Sequence, residues 1–64
     1  MRINREKLAV MLVRKDITAT ALATIAEVSR ATLSAVSGGK SCSEETANKI
    51  AQALGIPVED LIGE

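Results

Sequence analysis

The 64-residue sequence predicts an all-α fold of five short helices closed around one hydrophobic core. Three observations carry that expectation. An apolar residue, a cap and a second apolar residue four positions past the cap recur five times along the chain. Glycines fall where helical patterns stop. No residue is aromatic and one is cysteine, so the core must be built from aliphatic helix faces with no disulfide to staple them.

The elements follow in order. A cap side chain accepts an orphan backbone amide, and the two apolar residues around it pack as a staple. Ile3-Asn4 with Leu8 predicts a helix over 5–15. Its stretch from Leu8 to Val13 has no polar residue and could be read as a strand, but eleven residues without Gly or Pro fit a helix better. Ile17-Thr18 with Leu22 predicts a helix over 19–26, and Val28-Ser29 with Leu33 predicts one over 30–37, ended by Gly38-Gly39. Cys42-Ser43 with Ala47 predicts a helix over 44–54, ended by Gly55. Its apolar pair is small, but Glu44 and Glu45 suit the positive end of the helix dipole. Ile56-Pro57 with Leu61 predicts a fifth helix over 58–62, the weakest, because proline offers no side-chain acceptor. In this frame Met11 is core filler, Cys42 is a staple residue, and Glu59 and Asp60 compensate a helix dipole.

Composition excludes several classes. Hydrophobic residues make 47% of the chain and charged residues 25%, which is globular in character. The longest apolar run, Leu8 to Val13, is too short to span a membrane, and a cytoplasmic location is expected. With no histidine and one thiol, neither a zinc site nor a nucleophile beside a base is available, so no enzyme, metal or cofactor is expected. Net charge is zero, but it is unevenly spread. Residues 1–43 hold seven bases (Arg2, Arg5, Lys7, Arg14, Lys15, Arg30, Lys40) against three acids, a net of +4. Residues 44–64 hold Lys49 against five acids, a net of −4. One end of the chain is therefore suited to phosphates.

The second and third predicted helices are joined by only Glu27, Val28 and Ser29. So short a link forces a sharp crossing, the geometry of a helix-turn-helix over about residues 18–37. The stretch from Ile17 to Val36, with Leu22-Ala23 in the second helix, Val28-Ser29 at the turn and Thr32-Leu33-Ser34 after it, resembles the helix-turn-helix of the Cro and lambda-repressor family. The block Ile50-Ala51-Gln52-Ala53-Leu54-Gly55-Ile56 and the following Glu59-Asp60-Leu61 look like that family's fourth and fifth helices. The resemblance runs from about Ile3 to Ile62 and implies a compact, five-helix, lambda-repressor-like DNA-binding domain. Three positions depart from the family. Glu27 stands where glycine is usual, at a turn position needing positive φ. Ala19 stands where a phosphate-clamping glutamine is common. Leu12 and Ser37 replace an arginine–glutamate pair, and both partners are missing together.

On a helix starting at Ser29, Leu33 and Val36 point inward, while Arg30, Ala31, Ser34 and Ala35 point outward. The resemblance implies that this outward face enters the major groove of double-stranded DNA. Arg30 is the long donor able to grip guanine bidentately, although a solvated surface arginine would look the same. Ala31 and Ala35 permit close approach to thymine methyls. Thr18, Ser29 and Lys40 match phosphate contacts by position, and Thr32 and Ser34 could serve bases or phosphates. Thr18 and Ser29 are equally explained as caps. Lys40 sits in a Gly-Gly-Lys-Ser loop that lacks the leading glycine of a Walker motif.

The resemblance implies a transcriptional regulator, bacterial or phage, acting as a repressor by occupying a two-fold symmetric operator. A homodimer is expected, with Val58, Leu61 and Ile62 as its interface, and no membrane or small-molecule partner. The competing expectation is an antitoxin-like or anti-repressor interaction module on the same fold.

Overall fold

Each helix of the computed structural model, which describes residues 1–62, begins at a residue whose side chain can accept a backbone amide. Asn4 Oδ1 accepts from the amides of Glu6 and Lys7 at 2.9 and 3.0 Å. Thr18, Ser29 and Ser43 accept through their hydroxyls from Ala21, Thr32 and Thr46 at 3.1, 3.0 and 3.1 Å. The resulting elements are α1 (Arg5–Lys15), α2 (Ala19–Ala26), α3 (Arg30–Ser37) and α4 (Glu44–Leu54), followed by a 3-10 turn (Val58–Asp60). Gly63 and Glu64, the latter counted among the C-terminal acids, lie outside the described residues.

The helix ends are as regular as the starts. Asp16, Glu27, Gly39 and Gly55 have φ of 55°, 60°, 98° and 71°, the left-handed region that stops a helix. At each, two amides turn back onto the last carbonyls. For α2, Glu27 N–H donates to Thr24 O at 3.2 Å and Val28 N–H to Ala23 O at 3.1 Å. The same pair closes α1 through Asp16 and Ile17, α3 through Gly39 and Lys40, and α4 through Gly55 and Ile56. Three of these ends run straight into the next cap, giving links of identical form: Asp16-Ile17-Thr18, Glu27-Val28-Ser29 and Gly55-Ile56-Pro57. In each, the middle residue packs against the core. One side chain thus closes the helix behind it and staples the one ahead.

The core draws on every helix. α4 buries Ala47, Ile50, Ala51 and Leu54 at i, i+3, i+4 and i+7, and α2 buries Leu22, Ala23 and Ala26. These two helices share the most extensive helix–helix contact, and their alanines allow a close approach. α3 contributes Leu33 and Val36. α1 fully buries only Leu8, with Met11 and Leu12 partly buried against the same cluster.

The five-helix expectation is corrected to four helices and a closing 3-10 turn among the described residues. Pro57 makes no side-chain cap, and the segment after it has two other tasks. Leu61 drops into the core with 0% exposure, and its carbonyl accepts the Asn4 amide at 2.7 Å. Ile62 then forms an antiparallel bridge with Ile3. Of the three residues expected at a dimer interface, Leu61 is buried and has no surface to give a partner. Val58 and Ile62 are half-buried against the core.

The left-handed positions can be tested in opposite directions. Glu27→Gly removes a Cβ from a positive-φ site, and we expect a gain of about 0.5–1 kcal/mol. Gly55→Ala meets no atom within 4 Å, so its cost is conformational alone. We expect a loss of about 1–2 kcal/mol. Thermal melts that move either variant the other way would mean the corner geometry is wrong.

Candidate nucleic-acid interface

The crossing of α2 and α3 is set by the Glu27-Val28-Ser29 link. Leu33 and Val36 turn one side of α3 into the core at 2% and 1% exposure. The opposite side is left to solvent, with Arg30, Ala31 and Ser34 exposed and Ala35 half-buried. The start of α2 lies alongside. Between them runs an open groove of about 540 Å³, walled by Ala19 and Thr20 of α2 and by Arg30, Ala31, Leu33, Ser34 and Ser37 of α3.

That groove gathers four residues singled out from the sequence: Ala19, Arg30, Ala31 and Ser34. Arg30 is the one charged side chain on its walls, and the rest are small or apolar. Ala35, Thr18, Ser29, Thr32 and Lys40 stand outside the walls. Thr18 and Ser29 serve as caps. Ser29 is committed twice, since its hydroxyl donates to Thr32 Oγ1 at 2.7 Å while accepting the Thr32 amide at 3.0 Å. A phosphate contact made by donation from the Ser29 hydroxyl would use its one proton, leaving Thr32 Oγ1 to donate in the reversed direction. The first-turn amides of Arg30 and Ala31, which have no intrahelical acceptor, are better placed to meet an anion. Lys40 is exposed and follows Gly39, its amide closing α3 onto Ala35 O at 3.1 Å.

Three wall residues go beyond the site expected from sequence: Leu33, expected only in the core, together with Ser37 and Thr20. Ser37 enters that reading only as half of a missing pair, although the spacing 30, 34, 37 already puts it on one face with Arg30 and Ser34. Thr20 carries no such signal, because only the crossing angle of α2 on α3 brings it to the groove. Among the described residues every charged side chain, basic and acidic alike, is exposed, and none is buried. No helix among them is long and apolar enough to cross a membrane.

Two short helices crossing at a tight turn, with the second laid open along one side, define a helix-turn-helix domain. Residues 7–63 match the family model of the Cro/C1-type HTH DNA-binding domain, and the chain belongs to that family. No curated protein matches it. Among solved structures it is similar to native PhpD with cadmium atoms, with a TM-score of 0.84, 25% identity, and coverage of 100% of this chain and 14% of that one. PhpD with cadmium complexed with hydroxyethylphosphonate gives the same values. A hydroxyethylphosphonate dioxygenase mutant gives a TM-score of 0.87 and 26% identity, with the same coverage. The chain therefore spans 14% of the length of these structures.

The cap that starts α3 has a measurable share in holding the groove. Ser29→Ala should lower stability by about 1 kcal/mol, read from a urea midpoint. An unchanged midpoint would show that the Ser29–Thr32 pair contributes nothing to the helix.

Proposed function

We propose that this chain is a sequence-specific, double-stranded-DNA-binding regulator that represses transcription as a homodimer on a two-fold symmetric operator. The observation that carries the reading is the isolation of Arg30 on the groove between α2 and α3. Its guanidinium can donate two parallel hydrogen bonds to guanine O6 and N7 from the major groove. The alanines and serines around it admit the DNA closely and compete little for base edges. The α3 amides and Lys40 would hold phosphates and fix the register.

A single short recognition helix reads too few bases to find a site. Two copies, with their α3 helices about 34 Å apart, would enter successive major grooves. Occupying the operator is then enough to block transcription in the cytoplasm of a bacterium, whether the regulator is encoded by the bacterium or by a phage. The role is non-catalytic, as a histidine-free chain with one charged residue on its groove suggests.

A second reading, a protein-interaction module of antitoxin or anti-repressor type, draws on the zero net charge of the chain and on Ala19 at the groove. Selection from random duplex DNA separates the two. Enrichment of a symmetric site supports the regulator, and no enrichment supports the interaction module.

On the selected site, Arg30→Ala should cost about 1–3 kcal/mol per half-site and relax preference at one guanine. Lys40→Ala should weaken all sequences alike and reduce the salt slope by about one per protomer. Equal loss by Arg30→Ala on specific and random DNA would reduce Arg30 to a phosphate contact.

A further inference from the structure

α1 is unusual among the helices in how little of it the core takes. Only Leu8 is fully buried, while Val10 and Val13 are 47% and 79% exposed. Spacings of four, three and one place Glu6, Val10, Val13 and Arg14 on one face of the helix, all exposed. Beside this face runs a shallow groove of about 410 Å³, whose apolar floor includes Val10 and Met11. Its rim carries both signs of charge, with Glu6, Glu59 and Asp60 against Lys7 and Arg14.

A surface that binds its own copy about a two-fold axis must be self-complementary, so one patch has to supply both partners of every charge pair. The α1 face does so. Val10 lies four residues from Glu6 and four from Arg14, about 6 Å along the axis in each direction. A two-fold axis passing at Val10 and perpendicular to α1 lays two such helices antiparallel. Glu6 of each copy then comes level with Arg14 of the other, and the two Val10 side chains meet between them. Val13 loses its solvent on the same side. The zero net charge of the chain sets up no long-range repulsion between copies.

We propose that the exposed face of α1, centred on Val10 and Val13 and bounded by Glu6 and Arg14, is the surface through which two copies of this chain pair. The partner rests on the homodimer reading above, and the location is new. The helix is about 16 Å long, so the contact is smaller than a standard interface and the pair is weak when free. Two copies on one operator raise each other's effective concentration, which lets so small a contact act there.

The test is sedimentation equilibrium of the full chain from micromolar to millimolar concentration, repeated as stoichiometry on the selected duplex. All the side chains changed are exposed, and circular dichroism checks that each variant remains folded. Wild type should self-associate reversibly to a dimer, and Val13→Asp should weaken association at least tenfold. Glu6→Arg and Arg14→Glu should each weaken it, and the double variant E6R/R14E should recover most of the loss, because the pair is only reversed in sign. A dimer indifferent to Val13→Asp, or a double variant no tighter than either single one, overturns the α1 interface and leaves the homodimer reading standing. A chain monomeric at every concentration and bound one per duplex overturns both. Two copies per duplex with no free dimer, and no effect of the α1 changes on their cooperativity, overturns the interface alone.

Discussion

The constraint on which the rest of this molecule depends is the left-handed residue at the end of each helix. In the three-residue links, that single positive-φ position redirects the chain, and the apolar residue after it anchors the turn in the core. The cap that follows starts the next element. Ile17, Val28 and Ile56 each belong to two elements at once, so at these three links a helix end cannot move without disturbing the start of its neighbour. The crossing of α2 on α3, and with it the groove that bears Arg30, is one instance of this corner. Two of the three links use acids, Asp16 and Glu27, where glycine would be less strained. The hydrogen bonds around them are the same as at Gly55, so the geometry is enforced by packing even where the residue type resists it.

Much of the fold is legible in the sequence because caps are local chemistry. Asn4, Thr18, Ser29 and Ser43 each precede a helix as their side chains and neighbours imply, and the spans of α1 to α4 follow from them. The stops are less legible. Gly39 and Gly55 announce themselves, and Glu27 is legible through the family resemblance, but Asp16 carries no signal of a left-handed turn. The chain after Pro57 is misread as a helix because the spacing of Val58, Leu61 and Ile62 suits one. What decides its shape is distant in sequence: the free amide of Asn4 and the edge offered by Ile3. Long-range backbone pairing leaves no periodic trace. The candidate site divides likewise. The outward face of α3 follows from helical period alone, whereas Thr20 reaches the groove only through the packing of one helix on another.

The distribution of small residues gives the domain its character. Alanines on α2 and α4 let those helices pack closely, which suits a core without aromatic rings. Alanines and serines on the outer side of α3 leave a groove with room for a large flat partner and a single strong donor on its walls. Much of the leftover apolar surface lies on α1, at Val10 and Val13, with Ile25 of α2 also open to solvent. A chain this short cannot bury every aliphatic side chain it needs for helix formation, and part of the excess lies on α1 between opposite charges.

The bridge between Ile3 and Ile62 bears on how such a domain can be carried by other proteins. It holds the two ends of the fold side by side, reinforced by Lys7 Nζ reaching the Ile62 carbonyl at 3.3 Å. A unit whose ends meet can be spliced into a surface loop of a host with little stretching of either partner, since the host sees only a short gap to close. Tandem fusion is harder to arrange, because both connections leave from one place and a following unit needs a linker to clear the first. Architecture at the seam between the ends thus favours transfer of this fold as an inserted cassette over its use as a bead on a string.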